Sequence, residues 1–220
     1  MRDPSRRHRH PRRRTVRVAV SVAAVRSANA CWERGIGVLC KDCLKLMRPS
    51  HLRAVRHSDP EEHIDLLLVC SSGGHLLQLL ALREVWEPFR HAWVTFDKSD
   101  AGSLLKSEPV VHASGPTNRN MGPVAVANLV RNLRLAWRLV GRLRPAVILT
   151  TGAGVAVPFA WIGRLRGTKV VYVESLTRID RPSLSCRLIR PVSDRVYVQW
   201  PELADALRGA RYAGTVFGGR

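Results

Sequence analysis

From Ile64 to about residue 209, short unbroken apolar runs alternate with longer segments of helical periodicity. An apolar run without in–out alternation is a strand buried on both faces. That requires a parallel sheet with helices covering each side. The strands read as IDLLLVC (64–70), HAWVTF (91–96), VVHA (110–113), AVILTT (146–151), KVVYVE (169–174) and RVYVQW (195–200). Helices fall at 75–86, 124–144, 155–166, 182–190 and 201–209. The pattern predicts a doubly wound, mostly parallel, Rossmann-like α/β domain. Right-handed crossovers give it the default strand order 3-2-1-4-5-6.

In that order strands 1 and 4 are central neighbours, and ligands bind outside their carboxyl ends. Strand 1 ends in Ser71-Ser72-Gly73-Gly74-His75, and strand 4 in Thr150-Thr151-Gly152-Ala153-Gly154. The two turns are expected to face each other across one crevice. Glycine lets the chain turn sharply and lets a ligand approach bare backbone. The helix that follows offers unpaired N–H groups and its positive dipole end, so a phosphate or diphosphate is a natural guest. Neither dinucleotide nor P-loop spacing of the glycines is present. The ordinary alternative is a tight strand–helix turn with no ligand.

His75 is the first side chain of its helix. A helix N-terminus disfavours imidazolium, so His75 is a candidate proton acceptor; otherwise it caps or packs. Glu174, Ser175 and Arg178 follow strand 5. A carboxylate and a guanidinium there suit a sugar or phosphate site, or form a surface ion pair.

The helix at 124–144 carries Arg131, Arg134, Arg138 and Arg142 on one stripe by three- and four-residue spacing. Val126, Leu129, Val130, Leu133, Trp137 and Val140 lie towards the other side. A basic amphipathic helix with a tryptophan points to an anionic membrane surface. An ordinary sheet-covering helix with a solvated basic face is the alternative.

The net charge of +19 points the same way, towards a polyanionic partner. Residues 1–60 hold 15 Lys+Arg against 4 Asp+Glu, or +11; the other 160 hold 21 against 13, or +8. Residues 1–62 therefore read as a basic disordered tail, or as sequence upstream of the true start, with Met47 as an alternative start. Residues 63–217 read as the folded domain, a size that buries a real core. VAVSVAAV followed by SANA imitates a signal peptide, but Arg17 and Arg26 break the apolar run. No run reaches the roughly 18 apolar residues of a membrane span. Five scattered cysteines argue against a disulfide framework and for a reducing cytoplasm. Cys40 and Cys43, with Cys31, His51 and His57 nearby, lack the second half of a zinc site. Neither a metal nor a cofactor is expected.

SSGGHLLQLLAL, VTFDKSDA, TTGAGVAVPFAW, VYVESLTR and VQWPEL occur in this order. Together they resemble the membrane-associated subunit of the split UDP-N-acetylglucosamine transferase of asparagine-linked glycosylation, and its bacterial relatives in capsule and exopolysaccharide assembly. The resemblance covers roughly residues 64–217 and implies the N-terminal half of a GT-B glycosyltransferase. That half meets the cytoplasmic face of a membrane, in bacteria the plasma membrane, and a lipid-linked diphosphate acceptor. A separate donor-binding subunit supplies the UDP-sugar, N-acetylglucosamine or another hexose. The chain ends without a second α/β domain, as such a split predicts. Under this resemblance Ser72, Gly73, Gly74, Gly152, Gly154 and Arg178 hold the acceptor, and His75 and Glu174 are catalytic. Arg131, Arg134, Trp137, Arg138 and Arg142 meet the membrane. Gln199, Trp200 and Pro201 face the partner. Two other classes stay open. A self-contained sugar-nucleotide enzyme would need donor-binding residues that are not evident here. A nucleic-acid binder would use the arginine tail, but stacking motifs and a helix-turn-helix pattern are absent, so no specific nucleic acid is expected.

Overall fold

The structure is a computed structural model and describes residues 63–115, 117 and 122–217. The basic tail and the Cys31–His57 group lie outside the described residues. Among the described residues seven parallel strands form one sheet: β1 (Leu66–Val69), β2 (His91–Phe96), β3 (Val110–Ala113), β4 (Val147–Thr150), β5 (Lys169–Val173), β6 (Arg195–Val198) and β7 (Ala210–Tyr212). Their order is β3-β2-β1-β4-β5-β6-β7, the expected order with one strand added at the edge. β7 was not expected. It has three residues, none of them buried, so it lacks the apolar run that marks an inner strand.

Helices cover both faces. On one lie α1 (Gly74–Ala81), α2 (Arg83–Trp86) and α3 (Ser99–Leu104); on the other lie α4 (Gly122–Leu143), α5 (Ala156–Leu165), α6 (Leu184–Ile189) and α7 (Pro201–Ala206). A 3₁₀ turn, Arg190–Val192, continues α6. The helix expected over 75–86 is broken at Leu82, and Trp86 closes the break by donating its indole N–H to the Leu79 carbonyl at 2.8 Å. β1 shows why its sequence does not alternate. Leu67 and Val69 enter the core under α4 and α5, while Leu66, Leu68 and Cys70 enter the core under α1 and α3. Fully burying one such side chain contributes about 1.5–3 kcal/mol.

α4 departs from expectation. Of the apolar set read from its sequence, only Val140 is buried. Val126, Leu129, Val130, Leu133 and Trp137 are exposed, and the helix instead buries Asn128, Asn132, Ala136 and Leu143 with Val140. Asn132 explains the inversion. Its Oδ1 accepts the Ser114 N–H and its Nδ2 donates to the Ser114 carbonyl, each at 2.8 Å. A buried amide that meets both backbone groups of one residue is paired at both ends and ties the end of β3 to α4. Arg131, Arg134, Arg138 and Arg142 are exposed beside the apolar stripe. Trp137 carries the Arg166 guanidinium 4.2 Å above its ring. Among the described residues no helix is long and apolar enough to cross a membrane.

Candidate functional site

Register brings the two glycine turns together. Val69 pairs with Thr150 across β1 and β4, so both chains leave the sheet at the same height. His75 Nδ1 lies 2.8 Å from the Thr151 carbonyl, and Thr151 Oγ1 donates to the His75 carbonyl at 2.8 Å. The turns are thus tied by a reciprocal pair of bonds. A carbonyl only accepts, so Nδ1 carries the proton, and in the neutral ring Nε2 keeps its lone pair. Burial pushes the His75 pKa down and outweighs the Thr151 carbonyl and Glu174, which favour the charged ring; Arg178 adds to the lowering. His75 lines a cavity of about 210 Å³ with Ser175, Thr177, Arg178, Ser183 and Ser185. A neutral imidazole, a guanidinium and four hydroxyls suit a phosphorylated sugar.

Gly152 sits at φ 101°, and a Cβ there would lie 2.8 Å from the Tyr172 hydroxyl. Both backbone and space therefore demand glycine. A Cβ on Gly154 would meet the Thr117 carbonyl at 2.9 Å. These two glycines pack the turn rather than open it. Gly73 and Gly74 differ: both are exposed, with open space where a Cβ would stand, and Gly73 takes φ 78°. Ser72 is half-buried beside them. The Gly73 N–H, however, is taken by Asp100 Oδ2 at 2.6 Å. An internal carboxylate occupies part of the seat expected for a diphosphate. Asp100 was legible only as a member of VTFDKSDA, with no role attached.

Glu174 requires a correction. It was expected to line the cleft, but it is completely buried beneath it. Its Oε1 accepts from the Tyr172 hydroxyl at 3.1 Å and the Ser175 N–H at 2.8 Å, and its Oε2 accepts from the Ser183 N–H at 2.8 Å. Tyr172 spends its one proton on Glu174, so Ser183 Oγ must donate to the Tyr172 oxygen, 3.2 Å away. The carboxylate fastens both ends of the 175–183 segment that carries Thr177 and Arg178. Glu174→Ala removes the acceptor of three donors, two of them buried at about 1–3 kcal/mol each before relaxation. The expected loss is about 2–4 kcal/mol of folding stability in urea titration; a loss within 0.5 kcal/mol, the range of an ordinary surface change, would contradict this anchor.

Gln199 is corrected too: only 2% exposed, it offers nothing to a partner surface. Trp200 is half-buried and donates its indole N–H to the Leu176 carbonyl at 2.6 Å; Pro201 is exposed at the start of α7. A larger cavity, about 440 Å³, lies against Pro182, Arg187, Arg190 and Leu207, away from His75. The Cys186 thiol beside it is pushed up to about 12, chiefly by burial, and is no nucleophile there. No cluster of metal-binding side chains occurs among the described residues.

Residues 66–216 match the family described as "Oligosaccharide biosynthesis protein Alg14 like". The chain belongs to the Alg14-like family. It is 30% identical over 173 residues to the UDP-N-acetylglucosamine transferase subunit ALG14 of Candida albicans, covering 70% of this chain and 78% of that protein. To the ALG14 subunit of Eremothecium gossypii it is 34% identical over 183 residues, covering 71% and 81%. Among solved structures it resembles Acinetobacter baumannii MurG with a TM-score of 0.56 and 18% identity, over 70% of this chain and 47% of that one. The chain spans about half of that protein, and the likeness shows the fold alone. The Alg14-like match encloses every residue of the His75 cavity. The roles of Ser183 and Tyr172 were missed by sequence reading, because a loop serine has no periodic signal and a strand tyrosine reads as ordinary core.

Proposed function

We propose that this protein is the acceptor-binding, membrane-recruiting subunit of a two-chain glycosyltransferase. It presents a lipid-linked diphosphate acceptor to a UDP-sugar, N-acetylglucosamine or another hexose, held by a separate donor-binding chain. The observation that carries this reading is the His75 ring, fixed through Nδ1 with Nε2 left to a cavity of hydroxyls and one guanidinium. Nε2 takes the proton from the acceptor hydroxyl as that oxygen bonds to the anomeric carbon. The bond from that carbon to the UDP oxygen breaks, and UDP leaves with the partner chain. Arg178 meets acceptor phosphate. Gly73 is the poorer phosphate seat because Asp100 already fills its N–H.

The relatives named as UDP-N-acetylglucosamine transferase subunits support the transfer and the need for a partner. The apolar stripe of α4, flanked by arginines, supports docking to the cytoplasmic face of an anionic membrane. Pro201, exposed at the start of α7, and the half-buried Trp200 before it are the residues this reading assigns to the partner contact. The test is co-expression with a donor-binding glycosyltransferase subunit, followed by transfer from radiolabelled UDP-N-acetylglucosamine to a lipid-linked diphosphate sugar. Transfer is expected only when both chains are present. Label that reaches lipid without this chain would end the proposal.

A further inference from the structure

Two glutamines beneath the cleft tie its walls together. Gln78 lies one turn beyond His75 on α1 and is 5% exposed; Gln199 follows β6 and is 2% exposed. Gln199 Nε2 donates to Gln78 Oε1 at 2.7 Å and to the Glu174 carbonyl at 2.9 Å. Gln78 Nε2 donates to the Gly74 carbonyl at 3.1 Å, and its Oε1 also accepts the Leu176 N–H at 2.9 Å. Gln199 Oε1 accepts the Val216 N–H at 2.9 Å. The pair thus ends on two backbone carbonyls and two backbone N–H groups. Each side chain must donate and accept at once, which a primary amide does and a carboxylate does not.

We infer that Gln78 and Gln199 are positioning residues that set the spacing between the His75 turn and the Leu176–Arg178 wall, and lock residue 216 to both. Leu176 is held at each backbone group, its N–H by Gln78 and its carbonyl by Trp200. Thr177 and Arg178 follow directly and line the cavity. If Gln78 shifts, the guanidinium and hydroxyl move relative to His75 while the imidazole stays on Thr151. The effect falls on acceptor placement and spares the donor, which arrives on another chain. This inference rests on the cleft being the acceptor site.

The experiment uses the full chain in complex with its donor-binding partner, UDP-N-acetylglucosamine and a lipid-linked diphosphate sugar. Gln78→Leu is expected to raise the acceptor KM at least ~10-fold while the UDP-sugar KM stays within ~2-fold. Gln199→Leu should act in the same direction, and the double variant should be no worse than the poorer single one, because the two amides act as a unit. Where a leucine variant does not fold, Val216→Pro carries the test: it deletes one N–H near the chain end and should raise the acceptor KM about threefold in a folded protein. An unchanged acceptor KM, or an equal rise in both constants, overturns the inference. A wild-type complex inert towards the lipid-linked acceptor defeats the acceptor reading instead. Hydrogen exchange then judges the pair alone. The Leu176 and Val216 amides should lose protection together in Gln78→Leu, and loss at Leu176 only overturns the coupling.

Discussion

His75→Ala is expected to lower kcat of the assembled complex by about 10²–10⁴-fold, the usual contribution of a general base. Complex recovery should not change, and acceptor KM should stay within ~3-fold. The fold should tolerate the change. The bond from Thr151 Oγ1 runs to the His75 backbone carbonyl, so alanine keeps it and α1 keeps its place against β4. Only the Nδ1–Thr151 bond is lost, at about 1 kcal/mol. The pH profile supplies a second readout. Burial holds the folded imidazole below its ordinary pKa of about 6.5. The base is therefore neutral at lower pH than a free histidine, and the rise of kcat/KM with pH should have its midpoint below about pH 6.5. The linkage to stability follows with its sign. In the window between the lowered folded pKa and about 6.5, the unfolded state binds the extra proton. Stability contributed by His75 is full above that window, falls as pH drops through it, and levels off below the folded pKa. His75→Ala should flatten that segment of the stability curve. Wild-type turnover in the variant complex would remove His75 from the chemistry.

The two turns and their neighbours were legible in the sequence because the evidence for them is local. LLLVC and VILTT are apolar without alternation, which makes them strands buried on both faces, and the default strand order sets them side by side at the centre. Glycine-containing turns after two central strands had to meet, and Thr151 and His75 do. The roles of Glu174 and Gln199 were not legible. A carboxylate at a strand end reads the same whether it points into the cleft or below it. Its direction is set by Tyr172, Ser175 and Ser183, two of which lie on a loop without periodicity. Gln199 bonds to Gln78 across 121 residues, a distance no spacing rule spans. α4 failed for a different reason. Hydrophobic periodicity names an apolar face, and the usual assumption sends that face to the core. Here Asn132 binds Ser114, so the arc of Asn128, Asn132, Ala136, Val140 and Leu143 goes inward, and the arginines and the apolar stripe both stay outside. An exposed apolar stripe of this length on an otherwise well-packed domain marks an interaction surface.

Replacing Arg131, Arg134 and Arg138 together by glutamine is expected to weaken binding to phosphatidylserine-containing vesicles roughly a hundredfold. Each basic residue near an anionic leaflet contributes about 1 kcal/mol, and three give about 3 kcal/mol. The loss should vanish in high salt, where the attraction is screened within a few ångströms, and on neutral vesicles. A companion variant separates charge from insertion. Leu133→Gln with Trp137→Gln removes two apolar side chains that are 44% and 55% exposed without changing the charge. About half of each is free to enter the headgroup region, a contribution of about 2 kcal/mol for the pair. This variant should lose binding to neutral and anionic vesicles alike, and high salt should not rescue it. Neither change touches the core. The fold forfeits the Arg166–Trp137 contact, about 0.5–1 kcal/mol at an exposed site, in one variant and the Arg131 Nη1–Asn128 Oδ1 hydrogen bond, about 1 kcal/mol, in the other, so thermal midpoints should move by a few degrees at most. If the wild-type chain ignores anionic vesicles at low salt, α4 faces a protein surface instead. If both variants bind like wild type, recruitment runs through another part of the molecule. In either case the apolar stripe still needs a cover, because Val126, Leu129, Val130, Leu133 and Trp137 expose more apolar surface along one helix than solvation alone explains.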